Sequence, residues 1–179
     1  MAVSKKNEAL SNEVKDTTTS TTVETEPVEL NLDQKVTLKN IAGWTVGFRR
    51  IESDGDVTIP PEGSARVTRS EIIAQAQNGN RLITGVDDMG SHATIYIDDE
   101  ATRKEIDFET DAKKQNILTV ESVKKLFEYK TIKTFEEKLK ELIVTRAEKY
   151  AIIQIIKREK INDYEKVRIV ENYTGFSVV

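Results

Sequence analysis

Apolar and polar positions alternate in short stretches from Val36 to about residue 97, then fall into three-to-four spacing beyond residue 119. Val36-Thr37-Leu38-Lys39 alternates, and so does Trp44-Thr45-Val46-Gly47-Phe48, which puts Trp44, Val46 and Phe48 on one face of a strand. Asp54-Gly55-Asp56 predicts a turn leading into a strand at Val57-Thr58-Ile59. Pro60-Pro61-Glu62-Gly63 breaks the chain before a further strand at Ala65-Arg66-Val67-Thr68. Arg69 to Gln77 predicts a short helix with Ile72, Ile73 and Ala76 inward, Thr68 or Ser70 as cap, and Asn78-Gly79-Asn80 as its end. Leu82-Ile83-Thr84 and Ala93-Thr94-Ile95-Tyr96-Ile97 predict the last strands.

The second half has helical periods. Val120, Val123, Leu126 and Phe127 form one apolar face, and Phe135, Leu139, Leu142 and Ile143 form another. Ala147, Ala151, Ile152, Ile155 and Ile156 form a third, and Val167, Val170 and Tyr173 a fourth. Thr134-Phe135-Glu136-Glu137, Thr145-Arg146-Ala147-Glu148 and Asn162-Asp163-Tyr164-Glu165 match the capping box, and Gly175 suits a helix end. The second of these boxes either starts a helix or lies inside a continuous one.

The fold class that follows is α+β. It has an extended or disordered N-terminal arm (1–33), a small β-barrel or sandwich-like domain with one short helix (34–108), a linker (109–118) and a small helical bundle (119–179). The arm holds few core-forming side chains. Its run Thr17, Thr18, Thr19, Ser20, Thr21, Thr22 has β propensity without bulk, so it suits lying extended along a neighbour. Thr17, Thr18, Thr19, Thr21, Thr22, Val23, Val28 and Leu30 are the residues expected to bind that partner.

Charge is uneven. The first 30 residues carry three lysines against six acids, whereas residues 119–179 carry 13 basic side chains against 10 acidic. A mildly basic helical end allows electrostatic docking but lacks the basic stripe of a dedicated nucleic-acid binder. The chain has no cysteine, so disulfides, thiolate-zinc sites and thiol nucleophiles are excluded. No apolar run reaches the ~18 residues of a membrane-spanning helix, and the N-terminus has no secretory apolar core.

Candidate chemistry is sparse. His92 is the single histidine, with Asp87 and Asp88 just before it; a proton-transfer or metal site is conceivable there, but a turn residue at a strand entrance accounts for it better. Asp54, Asp56 and Glu62 lack the calcium-loop spacing. Gly85 to Gly90 lacks the Gly-Lys-Ser/Thr of a phosphate loop, and no Gly-x-Ser-x-Gly is present. The expectation is therefore no enzyme, no catalytic residues, no metal and no cofactor. Arg49, Arg50, Arg66, Arg69 and Arg81, with Trp44 and Phe48 as stacking platforms, are the features that a nucleic-acid reading would use.

The segments Gly55-Asp56-Val57-Thr58-Ile59-Pro60-Pro61, Arg81-Leu82-Ile83-Thr84-Gly85-Val86-Asp87 and Glu165-Lys166-Val167-Arg168-Ile169-Val170-Glu171-Asn172-Tyr173-Thr174-Gly175 carry a resemblance. Over most of residues 36–175, the chain resembles small structural proteins of tailed-bacteriophage virions in arrangement rather than by a motif. The resemblance implies a non-enzymatic virion component, with capsid decoration or a minor capsid role favoured over a head–tail connector. Its partners would be the major capsid protein or neck components, oligomeric in the assembled particle, with no membrane and no nucleic acid. The alternative is a nucleic-acid-binding regulatory protein using the basic helical module.

Overall fold

The computed structural model describes residues 30–178 of the 179. Within them the protein is mixed α and β, with five strands in two small antiparallel sheets and seven helices. The expected partner-binding residues Thr17, Thr18, Thr19, Thr21, Thr22, Val23 and Val28 lie outside the described residues; Leu30 is within them and half-buried.

Strand β1 (Lys35–Asn40) is the centre of the three-stranded sheet, ordered β4-β1-β5. It pairs with β4 (Ser64–Thr68) in the register Val36 to Val67 and with β5 (Ile95–Ile97) in the register Leu38 to Ile97. The alternation of β1 follows from burying one face: Val36, Leu38 and Asn40 are inward, and Lys35 and Lys39 are exposed. Strands β2 (Val46–Arg49) and β3 (Asp56–Ile59) form the second sheet, a hairpin across the expected Asp54-Gly55-Asp56 turn. Asn40 is a buried polar residue among these strands. Its side-chain amide donates to the carbonyls of Trp44 and Pro60, and its oxygen accepts from the Ala42 N–H, so the chain between β1 and β2 is held from inside.

Helix α1 (Arg69–Gln77) has the expected bounds but not the expected cap. Neither Thr68 nor Ser70 caps it through a side chain. The Arg69 and Ser70 N–H groups donate instead to the carbonyls of Gln34 and Leu32, so the chain leading into β1 closes the helix start. Leu82-Ile83-Thr84 is not a strand but lies in a single helical turn, α2 (Arg81–Thr84). Asn80 accepts from the Leu82 N–H at its start, and Gly85 at φ +75° ends it. A three-residue segment is too short for its period to separate strand from helix, and the flanking caps decide. Helix α3 (Glu100–Glu105) follows β5, capped by Asp99.

Helices α4 (Val120–Phe127), α5 (Ile132–Leu142), α6 (Arg146–Glu159) and α7 (Tyr164–Thr174) make the C-terminal part. Helix α5 starts one turn earlier than the expected Thr134 box: the cap is Thr131, which accepts from the Thr134 N–H. The Thr145 box is a true start, with Thr145 and Glu148 capping each other reciprocally. At α7 the capping side chain is Asp163 rather than Asn162, and Gly175 ends the helix at φ +74°.

Two apolar cores result. One gathers Val36, Leu38, Ile59, Val67, Ile72, Ile83, Ile95 and Ile97; the other gathers Val123, Leu126, Phe135, Leu139, Ile152, Ile156 and Val170. Each fully buried isoleucine contributes about 2 kcal/mol by removal from water. Helix α6 serves both: Ala147 packs into the first core, and its four isoleucines pack into the second.

Candidate functional site

The first turn of α6 is where the strand-bearing half meets the helical half. The Arg146 guanidinium lies 5.1 Å from the centre of the Trp44 ring. The Tyr150 ring covers Gly43, and its hydroxyl donates to Glu62. Between these contacts, Glu148 is buried and meets His92, 56 residues away in sequence, with Oε1 at 2.7 Å from the ring Nδ1. Its other oxygen accepts from the Val144 and Thr145 N–H groups and the Thr145 hydroxyl. Glu148 therefore closes the helix start with one oxygen and holds the histidine ring with the other.

The loop that brings His92 there is unusual. Gly85, Asp88, Gly90 and His92 all have positive φ, two of them non-glycine residues in the left-handed region. Many bonds hold that conformation. Asp87 Oδ1 accepts from the Met89 and Ser91 N–H groups, the Val86 N–H donates to the Ser91 carbonyl, and Gln115 donates to the Gly90 carbonyl. At Gly85 an added Cβ would collide with the Ser91 carbonyl oxygen. Strain over-determined in this way is characteristic of positions where a side chain is being aimed.

Asp87 and Asp88 do not join His92. Asp87 turns to its own loop backbone, and Asp88 accepts from the Thr84 hydroxyl. Burial pushes the Asp87 carboxyl up, but the Ser91 and Met89 hydrogen bonds outweigh it and hold it below the usual range. Among the described residues no group of three or more His, Cys, Asp or Glu is placed to hold a metal ion, and no helix is long and apolar enough to cross a membrane. Asp54 and Asp56 are exposed hairpin residues.

The arginines divide by environment. Arg49 and Arg66 are exposed, whereas Arg69 is 2% exposed and fully engaged. Arg69 donates to the Asn31 carbonyl, the Gln34 side chain, the Thr102 hydroxyl and Asp99. It ties the entry of the chain to α3 and is not available to a phosphate backbone. The stacking pair also separates: Trp44 precedes β2 and lies partly exposed against Arg146, while Phe48 is half-buried against the strand core. Sequence reasoning recognised Glu148 as a capping residue. Its contact with His92 had no local signal, since the pairing depends on how the two halves dock.

Comparison with protein-family models, with curated protein sequences and with solved structures returned no match.

Proposed function

We propose that the protein is a non-enzymatic structural component of a tailed-phage particle. It would bind the capsid or neck through its N-terminal arm (1–33) and the strand-bearing half, with a capsid-decorating or minor capsid role favoured over a connector. In this reading the two small sheets act as a barrel-like body and helices α4–α7 as a small bundle displayed beside it. Its partners are other virion proteins, the major capsid protein first, and many copies share the particle, where repetition compensates for weak single contacts.

The observation that carries this reading is the anchoring of the chain entry. Leu32 and Gln34 cap α1 with their carbonyls, and the buried Arg69 holds Asn31 and Gln34 from below. A segment that grips a neighbour needs a root that transmits load to the core, and this one is fastened by side chain and backbone together.

The test is hydrogen exchange on the free full-length protein and on purified particles containing it, with a Δ1–29 chain in parallel. Protection of residues 1–29 in particles alone, with at least tenfold weaker particle binding by the truncated chain, is expected. Equal binding by both chains overturns the role of the arm.

A further inference from the structure

A cleft of about 440 Å³ opens beside the His92–Glu148 pair, lined by Arg81, Leu82, Val86, His92, Thr94 and Thr145 among others. Three features of it converge. The His92 ring is held by Glu148 through Nδ1, while its Nε2 has no hydrogen-bond partner among the described residues and is not sealed from solvent. Arg81 is exposed and has no carboxylate partner among the described residues. No acidic side chain lines the cleft, and both oxygens of the neighbouring Glu148 are already engaged. The result is a donor-rich, acid-free cleft with an apolar wall, where Val86 is 57% exposed beside half-buried Leu82.

We propose that this cleft binds a carboxylate carried on a short branched apolar stem. The carboxylate is received between His92 Nε2 and the Arg81 guanidinium, with the Thr94 hydroxyl at the same wall, and the stem lies on Leu82 and Val86. The planar fork of arginine matches the two oxygens of a carboxylate, and the Leu82 and Val86 wall favours a ligand with an apolar stem over free phosphate. The strained 85–92 loop fixes the ring before the ligand arrives, which lowers the cost of ordering it on binding. This inference goes beyond the particle role and does not rest on it.

Glu148 holds the ring through Nδ1, which leaves Nε2 as the nitrogen available to a ligand. The charged groups facing the ring are Glu148 from α6 and Arg81 from α2; Asp87 and Asp88 of its own loop are turned to the loop backbone and to Thr84.

The experiment is NMR of the full-length chain with labelled histidine and methyl groups, titrated with isovalerate, its neutral amide isovaleramide, and inorganic phosphate. Saturable shifts of His92 Nε2 and of the Leu82 and Val86 methyls are expected with isovalerate, and weaker or no saturation with the other two. Arg81→Gln, at an exposed side chain with no hydrogen bond of its own among the described residues, should weaken isovalerate about tenfold with the fold intact. His92→Gln should likewise weaken isovalerate. Absence of saturable shifts, equal binding of phosphate, or undiminished binding by Arg81→Gln would each overturn the proposal.

Discussion

Gly43 and Tyr150 occupy adjoining space so closely that any Cβ at position 43 would overlap the tyrosine ring. The ring is fixed from three sides, by the glycine, by the Glu62 carboxylate at 3.0 Å from its hydroxyl, and by Phe176 edge-on at 5.9 Å. This contact joins the β1–β2 connection to α6, and the two halves dock through it. Gly43→Ala is therefore expected to destabilise the protein by about 1–3 kcal/mol through overpacking. Tyr150→Phe, which keeps the ring and loses only an outward hydrogen bond, should cost about 1 kcal/mol or less. Chemical denaturation of the two variants distinguishes them; a neutral Gly43→Ala would show that the tyrosine moves aside freely.

Glu148 closes a helix and holds a histidine at once, so its removal should cost more than a cap alone. Glu148→Ala is expected to lose about 3 kcal/mol, against about 1 kcal/mol for an ordinary capping residue. A double-mutant cycle with His92→Ala should return a coupling energy of about 1 kcal/mol. A coupling near zero would mean the 2.7 Å contact adds nothing beyond the cap.

Acid should unfold the strand-bearing half through two carboxylates that keep their charge in the folded state. At Glu71, burial pushes the carboxyl up, but bonds from Gln75 and the Ile51 and Glu52 N–H groups, with Arg50 nearby, hold it below its usual value. At Asp99, burial again pushes up, and Thr102 and Arg69 more than reverse it. A folded pKa below the unfolded one means that both groups stabilise fully above the ordinary carboxylate range. The stabilisation is lost as pH falls through that range toward the depressed folded values. Stability measured by urea midpoint should be flat above about pH 6 and decline below about pH 4.5. The decline should be shallower in Glu71→Gln, whose remaining stability is lower throughout; an unchanged slope would count against Glu71 as a source.

Two glycines with positive φ separate backbone strain from steric collision. Gly55, in the hairpin turn at φ +99°, has nothing within 4 Å of an added Cβ. Gly85 at φ +75° would drive one into the Ser91 carbonyl. Gly55→Ala should cost about 1 kcal/mol from conformation alone, and Gly85→Ala at least twice that. Gly85→Ala should also shift the His92 ring resonances, because the loop that carries them must open. Equal costs would show that the 85–92 loop relaxes without penalty.

Much of the fold can be read locally because its determinants are local. The α1 bounds lie between a strand end and Asn78-Gly79, and the hairpin turns at Asp54-Gly55-Asp56, whereas the Thr145 box leaves open a helix start or a helix interior, and the structure decides for a start. Elements whose cues compete or are short read less well. Leu82-Ile83-Thr84 carries strand-forming side chains but is closed into a turn of helix by Asn80 and Gly85. Helix α5 is capped by Thr131, which accepts from the Thr134 N–H, although Thr134 has the better box in sequence.

The sequence by itself determined the alternation of β1 and β3, the periodic apolar faces of α4 to α7, and the absence of any thiol chemistry. Those follow from periodicity, caps and composition, which act over a few residues. Only the tertiary structure decided that Arg69 is buried under the chain entry rather than displayed, that Trp44 lies beneath Arg146, and that His92 faces Glu148 instead of Asp87 or Asp88. Each of these depends on how α6 and the entry segment dock against the sheets. Docking is set by the shape of whole buried faces, which no short stretch of sequence contains.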